Sequence, residues 1–314
     1  MMKAEMITRR NFAKLSIAAV AASGILAADL PGQTSKPLRL GGPVDAPDPE
    51  TWIKNLRSLG YRAAYCPVGP DAADDAVKAY AYAARKADIV IAEVGAWSNP
   101  ISGDDAQRKA ALDRCRSSLA LADRIGANCC VNVSGSRNPK QWAGPCKENL
   151  TQATFDLIVE TTRSIIDAAK PTRTFFTLEC MPWAYPDSVE SYQRLITAID
   201  RKQFAVHFDP VNLVVSPQIY YASGAMIREA FEKLGPRIRS CHAKDITLDE
   251  TIYTPHLTEC RAGTGGLDYA EMLRQLAKQP DTPLMLEHLP NQDEYKKAAD
   301  HIRSVGTSVG VSFT

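Results

Sequence analysis

From residue 38 onward, the chain alternates short apolar runs with longer segments in which apolar residues recur every three to four positions. Short apolar runs bounded by polar turns are typical of buried parallel strands, and the longer period is typical of amphipathic helices. The pattern predicts eight strands, at 38–42, 61–66, 88–95, 129–134, 174–179, 204–209, 238–243 and 284–288.

The segments between these runs carry helix boundary signals. Asp48-Pro49-Glu50 begins a helix that Gly60 ends, because proline suits the first helical turn and glycine the position after the last one. Similar signals predict further helices at 72–86, 104–125, 149–169, 187–200, 222–234, 268–278 and 293–305.

Eight strand–helix units in series, with no Pro- or Ser-rich linker between them, predict an α/β fold: a closed (β/α)8 TIM barrel, as a single domain over 36–314. The length of 314 residues suits one such barrel plus a short extra segment. An open doubly wound sheet is the alternative, but no Gly-x-Gly-x-x-Gly follows the first strand. We interpret Leu40-Gly41-Gly42-Pro43 as a turn.

Residues 1–30 resemble a bacterial export signal of the twin-arginine type, since Arg9-Arg10 precede a charge-free stretch at 15–28. A short surface helix is the alternative. We expect export to the periplasm, with the twin-arginine export machinery as a partner. If the segment is retained, it would anchor the protein to a membrane.

The net charge of the chain argues against one class of partner. The 37 basic and 36 acidic side chains give a net charge of +1, so we expect no nucleic acid partner. A composition of 45% hydrophobic and 23% charged residues excludes a disordered chain.

None of the eight cysteines forms a Cys-x-x-Cys pair, and we interpret them as structural thiols. A homo-oligomer is compatible with the sequence.

Four potential metal ligands fall at the ends of four successive predicted strands: Glu179, Asp209, His242 and Glu287. Their separations of 30, 33 and 45 residues are about one strand–helix unit each. The strand ends on that face of a barrel converge on one point. Three carboxylates and an imidazole aimed at one point repel one another unless a cation lies between them, so we predict one divalent ion there. The ligand set suits Mn²⁺, Mg²⁺ or Co²⁺, with Zn²⁺ as a further option.

With these four residues on strands five to eight, the chain resembles the xylose isomerase-like barrels of the sugar phosphate isomerase/epimerase superfamily, over roughly 38–305. The Asp209-Pro210-Val211-Asn212 turn and His242-Ala243-Lys244-Asp245 support the likeness. The resemblance implies that Glu179 and Glu287 are also the catalytic proton-handling pair. Two carboxylates that flank a carbon next to a carbonyl can take and return its proton, through an enediolate that a divalent ion stabilises.

Further residues are candidates for binding a sugar or sugar derivative. Asn212 stands where ketose epimerases have a histidine, and Tyr185 where they have a second glutamate, which suggests a different substrate. Trp183 and Tyr185 would form an apolar wall against a sugar ring, or pack on the barrel rim. Lys244 would bind a hydroxyl, assist as an acid or form an ion pair. His256 and Arg261 lie in the long loop after strand seven, facing either substrate or solvent.

Four other residues lie on or next to the predicted strands. Glu93 and Trp97 end strand three and would line the same mouth. His207 has the same strand parity as Asp209 but lies one layer deeper, so we interpret it as a core histidine or one that supports a ligand. Neighbouring residues of a strand face opposite sides, so an inward-facing Glu287 directs His288 away from the site, and we interpret His288 as structural.

The leading function is therefore a metal-dependent sugar isomerase or epimerase. The alternative is a lyase or dehydratase of a keto-sugar or keto-inositol, because loss of a β-hydroxyl starts from the same enediolate. A non-catalytic periplasmic sugar-binding barrel is a further reading. A three-zinc endonuclease of related fold would need more histidines than the five in this chain.

Overall fold

The computed structural model of the protein describes residues 36–314; the predicted export signal at 1–30 lies outside the described residues. The strands over this range are β1 (Leu40–Gly42), β2 (Ala63–Tyr65), β3 (Val90–Gly95), β4 (Cys129–Asn132), β5 (Phe175–Glu179), β6 (Phe204–Phe208), β7 (Ile238–Ala243), β8 (Asp245–Leu248), β9 (Leu257–Cys260) and β10 (Leu284–Leu286).

Helices separate most of these strands. They are α1 (Pro49–Ser58), α2 (Asp74–Ala87), α3 (Asp105–Ile125), α4 (Gln152–Ala169), α5 (Val189–Ile199), α6 (Pro217–Tyr221), α7 (Ser223–Leu234), α8 (Tyr269–Leu276) and α9 (Gln292–Ser308). The boundary chemistry explains the start of α1: the Asp48 carboxylate accepts a hydrogen bond from the Thr51 amide at 2.8 Å, and Pro49 is the first residue of the helix.

The barrel is closed by parallel pairing in the order β1-β10-β7-β6-β5-β4-β3-β2. The pairing register sets Glu179 opposite His207, and Met285 opposite His242. Because all eight strands are parallel, their carboxyl ends meet at one rim. The predicted single (β/α)8 barrel is confirmed, and each predicted strand contains an observed one.

The apolar core has two parts. The larger part fills the layer between the strands and the surrounding helices, with fully buried side chains such as Trp52, Leu119 and Phe208. A small cluster of Ala63, Ala92 and Met285 lies apart from it. Across residues 36–314, no helix has both the length and the apolar character that a membrane crossing requires.

Two local predictions differ from the structure. The glycine run that we interpreted as a turn belongs to β1, where a Cβ on Gly41 would collide with the carbonyl oxygen of Ala63 and with Met285 Sδ. The close approach of neighbouring strands thus explains this glycine. The long segment after β7 contains an antiparallel hairpin, in which β8 pairs with β9.

Candidate metal centre and active site

The four predicted ligands come together at the rim of the barrel. Glu179 is the last residue of β5, Asp209 directly follows β6, His242 is next to last in β7, and Glu287 directly follows β10. Each offers one donor atom, and these four atoms lie within 4.8 Å of one another. We call these four residues the quartet.

The His242 imidazole lies at the centre of the quartet. Its Nδ1 is 2.9 Å from Glu287 Oε1, 3.1 Å from Glu179 Oε1 and 3.8 Å from Asp209 Oδ2. All four side chains are largely shielded from solvent; that of Asp209 has no exposed surface and that of Glu287 keeps 12%.

Lys244 points into the same cluster. Its ammonium nitrogen lies 2.6 Å from Asp209 Oδ2, 2.9 Å from Glu287 Oε1 and 3.2 Å from Glu259 Oε2. Lys244 is two residues beyond His242 on the same chain segment, so both side chains face the interior, as strand parity predicts.

Two oxygen atoms in the quartet favour a metal. Asp209 Oδ2 and Glu287 Oε1 are buried and accept no well-directed hydrogen bond, although the Lys244 ammonium is close to both. Buried carboxylate oxygens usually have hydrogen-bonded partners or a metal. Three carboxylates with one imidazole form a donor set that suits a hard or borderline divalent cation. The residues present therefore fit such an ion.

Burial and neighbouring charges act in opposite directions on these carboxyl groups. Burial by itself would raise the pKa of Asp209, but the Lys244 ammonium and His242 hold it below its usual range. The same balance, with His242 ahead of Lys244, lowers the pKa of Glu287. For Glu179 the effect of burial exceeds that of the nearby His242, so its pKa is raised. The two cationic partners keep Asp209 and Glu287 ionised in a buried place.

Asn212 orients Glu179. Its side-chain amide donates to Glu179 Oε1 at 3.2 Å and to the carbonyl oxygen of Cys180 at 3.1 Å. Asn212 lies in the short 3-10 turn of residues Val211–Leu213, directly after Asp209-Pro210. One strand end therefore supplies both a ligand and the support for the ligand on the neighbouring strand.

Glu93 and His207 lie beneath the quartet. The Glu93 carboxylate, 1% exposed, contacts His242 Nε2 at 3.1 Å and His207 Nε2 at 2.8 Å, and accepts a hydrogen bond from the Ser240 hydroxyl at 2.8 Å. Burial would raise the pKa of Glu93, but the two imidazoles lower it. Glu93 therefore supports His242 from below and does not line the mouth as we expected, while His207 is the supporting histidine that its depth predicts.

A cavity of about 570 Å³ opens above the quartet. It is lined by Glu179, His242, Glu287, Lys244, Asn212 and Trp183 among the predicted residues, and by Trp97. The remaining lining residues are Pro43, Tyr65, Val133, Trp142, Ala143, Met181, Glu259, His288 and Tyr295. This volume is ordinary for a small-molecule site.

Three predicted substrate-binding residues do not line this cavity. The Tyr185 ring packs edge-on against Phe155, and its hydroxyl donates to the carbonyl oxygen of Leu150 at 2.9 Å. Arg261 forms an ion pair with Glu294 of α9 at 2.8 Å. His256 is exposed in the loop between β8 and β9. The structure gives Tyr185 and Arg261 other partners and leaves His256 in solvent.

The sequence pattern did not indicate Glu259 as a site residue, and it predicted the wrong orientation for His288. Glu259, on β9, contacts Lys244 and accepts from His288 Nδ1 at 2.9 Å. Parity placed His288 outside the cavity, but β10 ends at Leu286 and His288 has a left-handed backbone with φ of 57°. The regular alternation of a strand therefore no longer applies at His288.

The parallel eight-stranded barrel and the cluster of acidic residues and one histidine at its carboxyl rim define the class: a TIM barrel protein with a candidate metal site. Residues 53–305 match the model of the xylose isomerase-like TIM barrel family, and the chain belongs to that family. No curated protein matches the chain by sequence.

Solved structures of similar fold include enzymes that act on sugars. D-psicose 3-epimerase from Clostridium cellulolyticum H10, determined with D-tagatose, is 13% identical with a TM-score of 0.61, covering 87% of this chain and all 100% of that one. The 3-keto-D-glucoside 4-epimerase of E. coli is 13% identical with a TM-score of 0.60, covering 85% and 99%.

A third similar structure contains a metal. A xylose isomerase-like TIM barrel protein from Mycobacterium smegmatis, in complex with magnesium, is 18% identical with a TM-score of 0.61, covering 87% of this chain and 97% of that one. At these identities the likeness establishes the shared fold.

Proposed function

We propose that the protein is a divalent-metal-dependent sugar isomerase or epimerase that abstracts a proton next to a carbonyl group. The observation that carries the proposal is the convergence of the four quartet donor atoms within 4.8 Å at the floor of a sugar-sized cavity. The sugar epimerases of similar fold support it.

The strand order gives the two glutamates different approaches to the substrate. Glu287 follows β10, which lies beside β7 on one side, and Glu179 ends β5, which lies two strands away on the other side. Both carboxylates reach His242 Nδ1. We infer that one takes the proton from the carbon next to the carbonyl and the other returns it, as general base and general acid.

The neighbouring residues assist this transfer. Lys244, 2.9 Å from Glu287 Oε1, would hold a substrate hydroxyl or oxyanion near that carboxylate. Asn212 keeps Glu179 Oε1 in place. A divalent ion held by the quartet would supply positive charge that stabilises the enediolate.

The predicted export beyond the cytoplasm argues against a phosphorylated substrate. We propose a free sugar or glycoside as the substrate.

Deuterium exchange tests this function. The protein is incubated with Mn²⁺ in D₂O with a panel of ketoses and 3-keto-glucosides, and deuterium is detected next to the carbonyl by NMR. We expect exchange with at least one sugar, and a rate lowered by about 10²–10⁴-fold in Glu287→Gln.

Glu250→Gln is the matched control, because Glu250 is an exposed acid in the β8–β9 loop. Its exchange rate should equal that of the wild type. Binding of a panel sugar with no exchange would identify a carbohydrate-binding barrel, and an unchanged rate in Glu287→Gln would remove that carboxylate from the chemistry.

A further inference from the structure

The cavity above the quartet has two chemically different sides. Its acidic and basic side chains come from β5, from β7 and the residue after it, from β9 and from the residues after β10. The lining also holds three tryptophans from the segments after β3, β4 and β5: Trp97, Trp142 and Trp183. We call these three residues the aromatic wall. In the strand order of the barrel, β3 and β4 lie across from β7 and β10.

Two members of the aromatic wall are unusually exposed. Trp97 keeps 37% and Trp142 keeps 48% of its surface accessible. A tryptophan is highly buried on average, because its indole gains more than most side chains from leaving water. Two such rings left open at the edge of one cavity indicate a surface that a ligand covers.

The aromatic wall is held in place before any ligand arrives. Trp183 Nε1 donates to the carbonyl oxygen of Ala143 at 2.6 Å, which ties the segment after β5 to the one after β4. The Trp97 indole lies so close to Gly95 that a Cβ there would collide with it. A binding surface that is already ordered loses little conformational entropy when a ligand binds.

The segment that carries Trp142 is also internally braced. The Ser136 hydroxyl donates to the carbonyl oxygen of Gly144 at 2.6 Å, and the Asn149 amide donates to the same oxygen at 3.1 Å. Both anchoring side chains are fully buried. Trp142 is therefore presented from a stable loop, although its own ring is half exposed.

The cavity is larger than one sugar ring requires. If each of the roughly twelve non-hydrogen atoms of a hexose took up the ~30 Å³ of a liquid water molecule, the hexose would fill at most about 360 Å³. The cavity measures about 570 Å³. A single hexose over the quartet would thus leave about 210 Å³ of the cavity unfilled, enough for part of a second ring.

The aromatic wall also restricts the charge of its occupant. The lining also includes Pro43, Val133, Ala143 and Met181, none of which is ionisable. We propose that the aromatic wall binds a second, uncharged ring joined to the reacting sugar, so that the substrate is a glycoside or a disaccharide. The proposal rests on the proposed function for the position of the reacting ring at the quartet.

Matched pairs of ligands test this proposal by calorimetry in the presence of Mn²⁺. One pair is D-fructose and lactulose, a ketose that carries a second sugar ring. The other is methyl and phenyl 3-keto-β-glucoside, in which the second ring is aromatic. In at least one pair we expect the two-ring ligand to bind about tenfold more tightly than its one-ring partner. The pair that shows the difference distinguishes a sugar ring from an aryl ring.

Variants of Trp142 show whether the difference in affinity arises at the aromatic wall. Trp142→Ala should remove most of that difference without weakening the one-ring ligand, and Trp142→Phe should restore part of it. Tyr82→Ala removes a ring of 60% exposure on α2, outside the cavity, and should change neither ligand.

Equal affinity within both pairs, failure of all four ligands to bind, or equal weakening of both partners by Trp142→Ala would overturn the proposal. The readout is binding and requires no turnover. A preserved affinity difference without deuterium exchange would therefore remove the proposed function and leave the second-ring site, and the reverse result would do the opposite.

Discussion

At the scale of the residue, His242 connects the two polar layers of the site. Its Nδ1 faces Glu179 and Glu287, and its Nε2 faces the buried Glu93 carboxylate. A carboxylate that accepts from one ring nitrogen directs the lone pair of the other toward a metal and makes it more basic. The tilt of the His242 ring therefore depends on Glu93, 149 residues away in the chain.

Replacing this carboxylate should weaken metal binding. In Glu93→Gln we expect the Mn²⁺ dissociation constant to rise about 10–100-fold, because an amide is a weaker acceptor for the His242 N–H. Calorimetric titration with Mn²⁺ measures the change, and circular dichroism checks the fold.

Ser240→Ala is the matched control for Glu93→Gln. It removes another hydrogen bond to the same carboxylate, the 2.8 Å contact from Ser240 Oγ, but keeps the Glu93–His242 pair. Its Mn²⁺ affinity should stay within a few-fold of the wild type. Equal losses in both variants would mean that general packing, and not the orientation of His242, sets the affinity.

At the scale of the element, helix α3 holds the entry to strand β5. The Asp123 carboxylate, near the end of α3, accepts from the backbone amides of Thr172 at 2.9 Å and Arg173 at 2.8 Å, and from the Thr172 hydroxyl at 3.0 Å. These contacts fix the loop that leads into Phe175–Glu179, whose last residue belongs to the quartet.

The contact of Asp123 with Thr172 and Arg173 should make the stability of the fold depend on pH. Partial burial would raise the pKa of Asp123, but hydrogen bonds from Arg173 and Thr172 outweigh it and lower the pKa. A lowered pKa in the folded state stabilises the fold above the unfolded pKa, and the contribution is lost as pH falls through the folded value. We expect Asp123→Asn to lower the free energy of unfolding by about 1–2 kcal/mol at neutral pH, and by much less in acid.

Urea unfolding of both proteins at about pH 7 and about pH 3 measures this difference. Asp113→Asn serves as the control, because Asp113 is an exposed residue of the same helix that pairs with Arg116, at 3.4 Å. Its effect should be small, as for most exposed ion pairs. A cost for Asp123→Asn that stays constant between the two pH values would show that its charge is not responsible.

At the scale of the whole molecule, the quartet joins four separate strands of a closed barrel. Its members lie on or directly after β5, β6, β7 and β10, far apart in the chain. An ion held by all four would bind the folded barrel and not the unfolded chain, so it should stabilise the fold by mass action.

Thermal unfolding should therefore depend on divalent metal. With Mn²⁺ at about 100 times its dissociation constant, the stabilisation is about 2.7 kcal/mol, which raises the unfolding midpoint by about 5–10 °C. Calorimetry in Mn²⁺ against EDTA measures it. Asp209→Asn should lose most of the rise, whereas Asp249→Asn, at an exposed acid in the β8–β9 loop, should keep it. The same rise in Asp209→Asn would place the ion elsewhere.

The periodicity of the chain was sufficient for the barrel and for much of the site. Apolar runs at regular spacing predicted the strands, and parallel strands bring their carboxyl ends together whatever their side chains are. The positions of Glu179, Asp209, His242 and Glu287 at one rim follow from that rule alone. Lys244 follows as well, because it shares the strand parity of His242.

Contacts across the barrel could not be read in the same way. Glu93 reaches beneath His242, Glu259 reaches over Lys244 from the hairpin, and Tyr185 packs on Phe155, away from the cavity. Each depends on register, hairpin pairing or loop packing between distant segments, which local patterns do not encode. The amino-acid sequence by itself determined the fold and the ring of charged residues at its rim, because both arise from local periodicity. The tertiary structure alone decided which side chains support that ring and which aromatic surfaces face it, because those choices depend on how separate segments pack together.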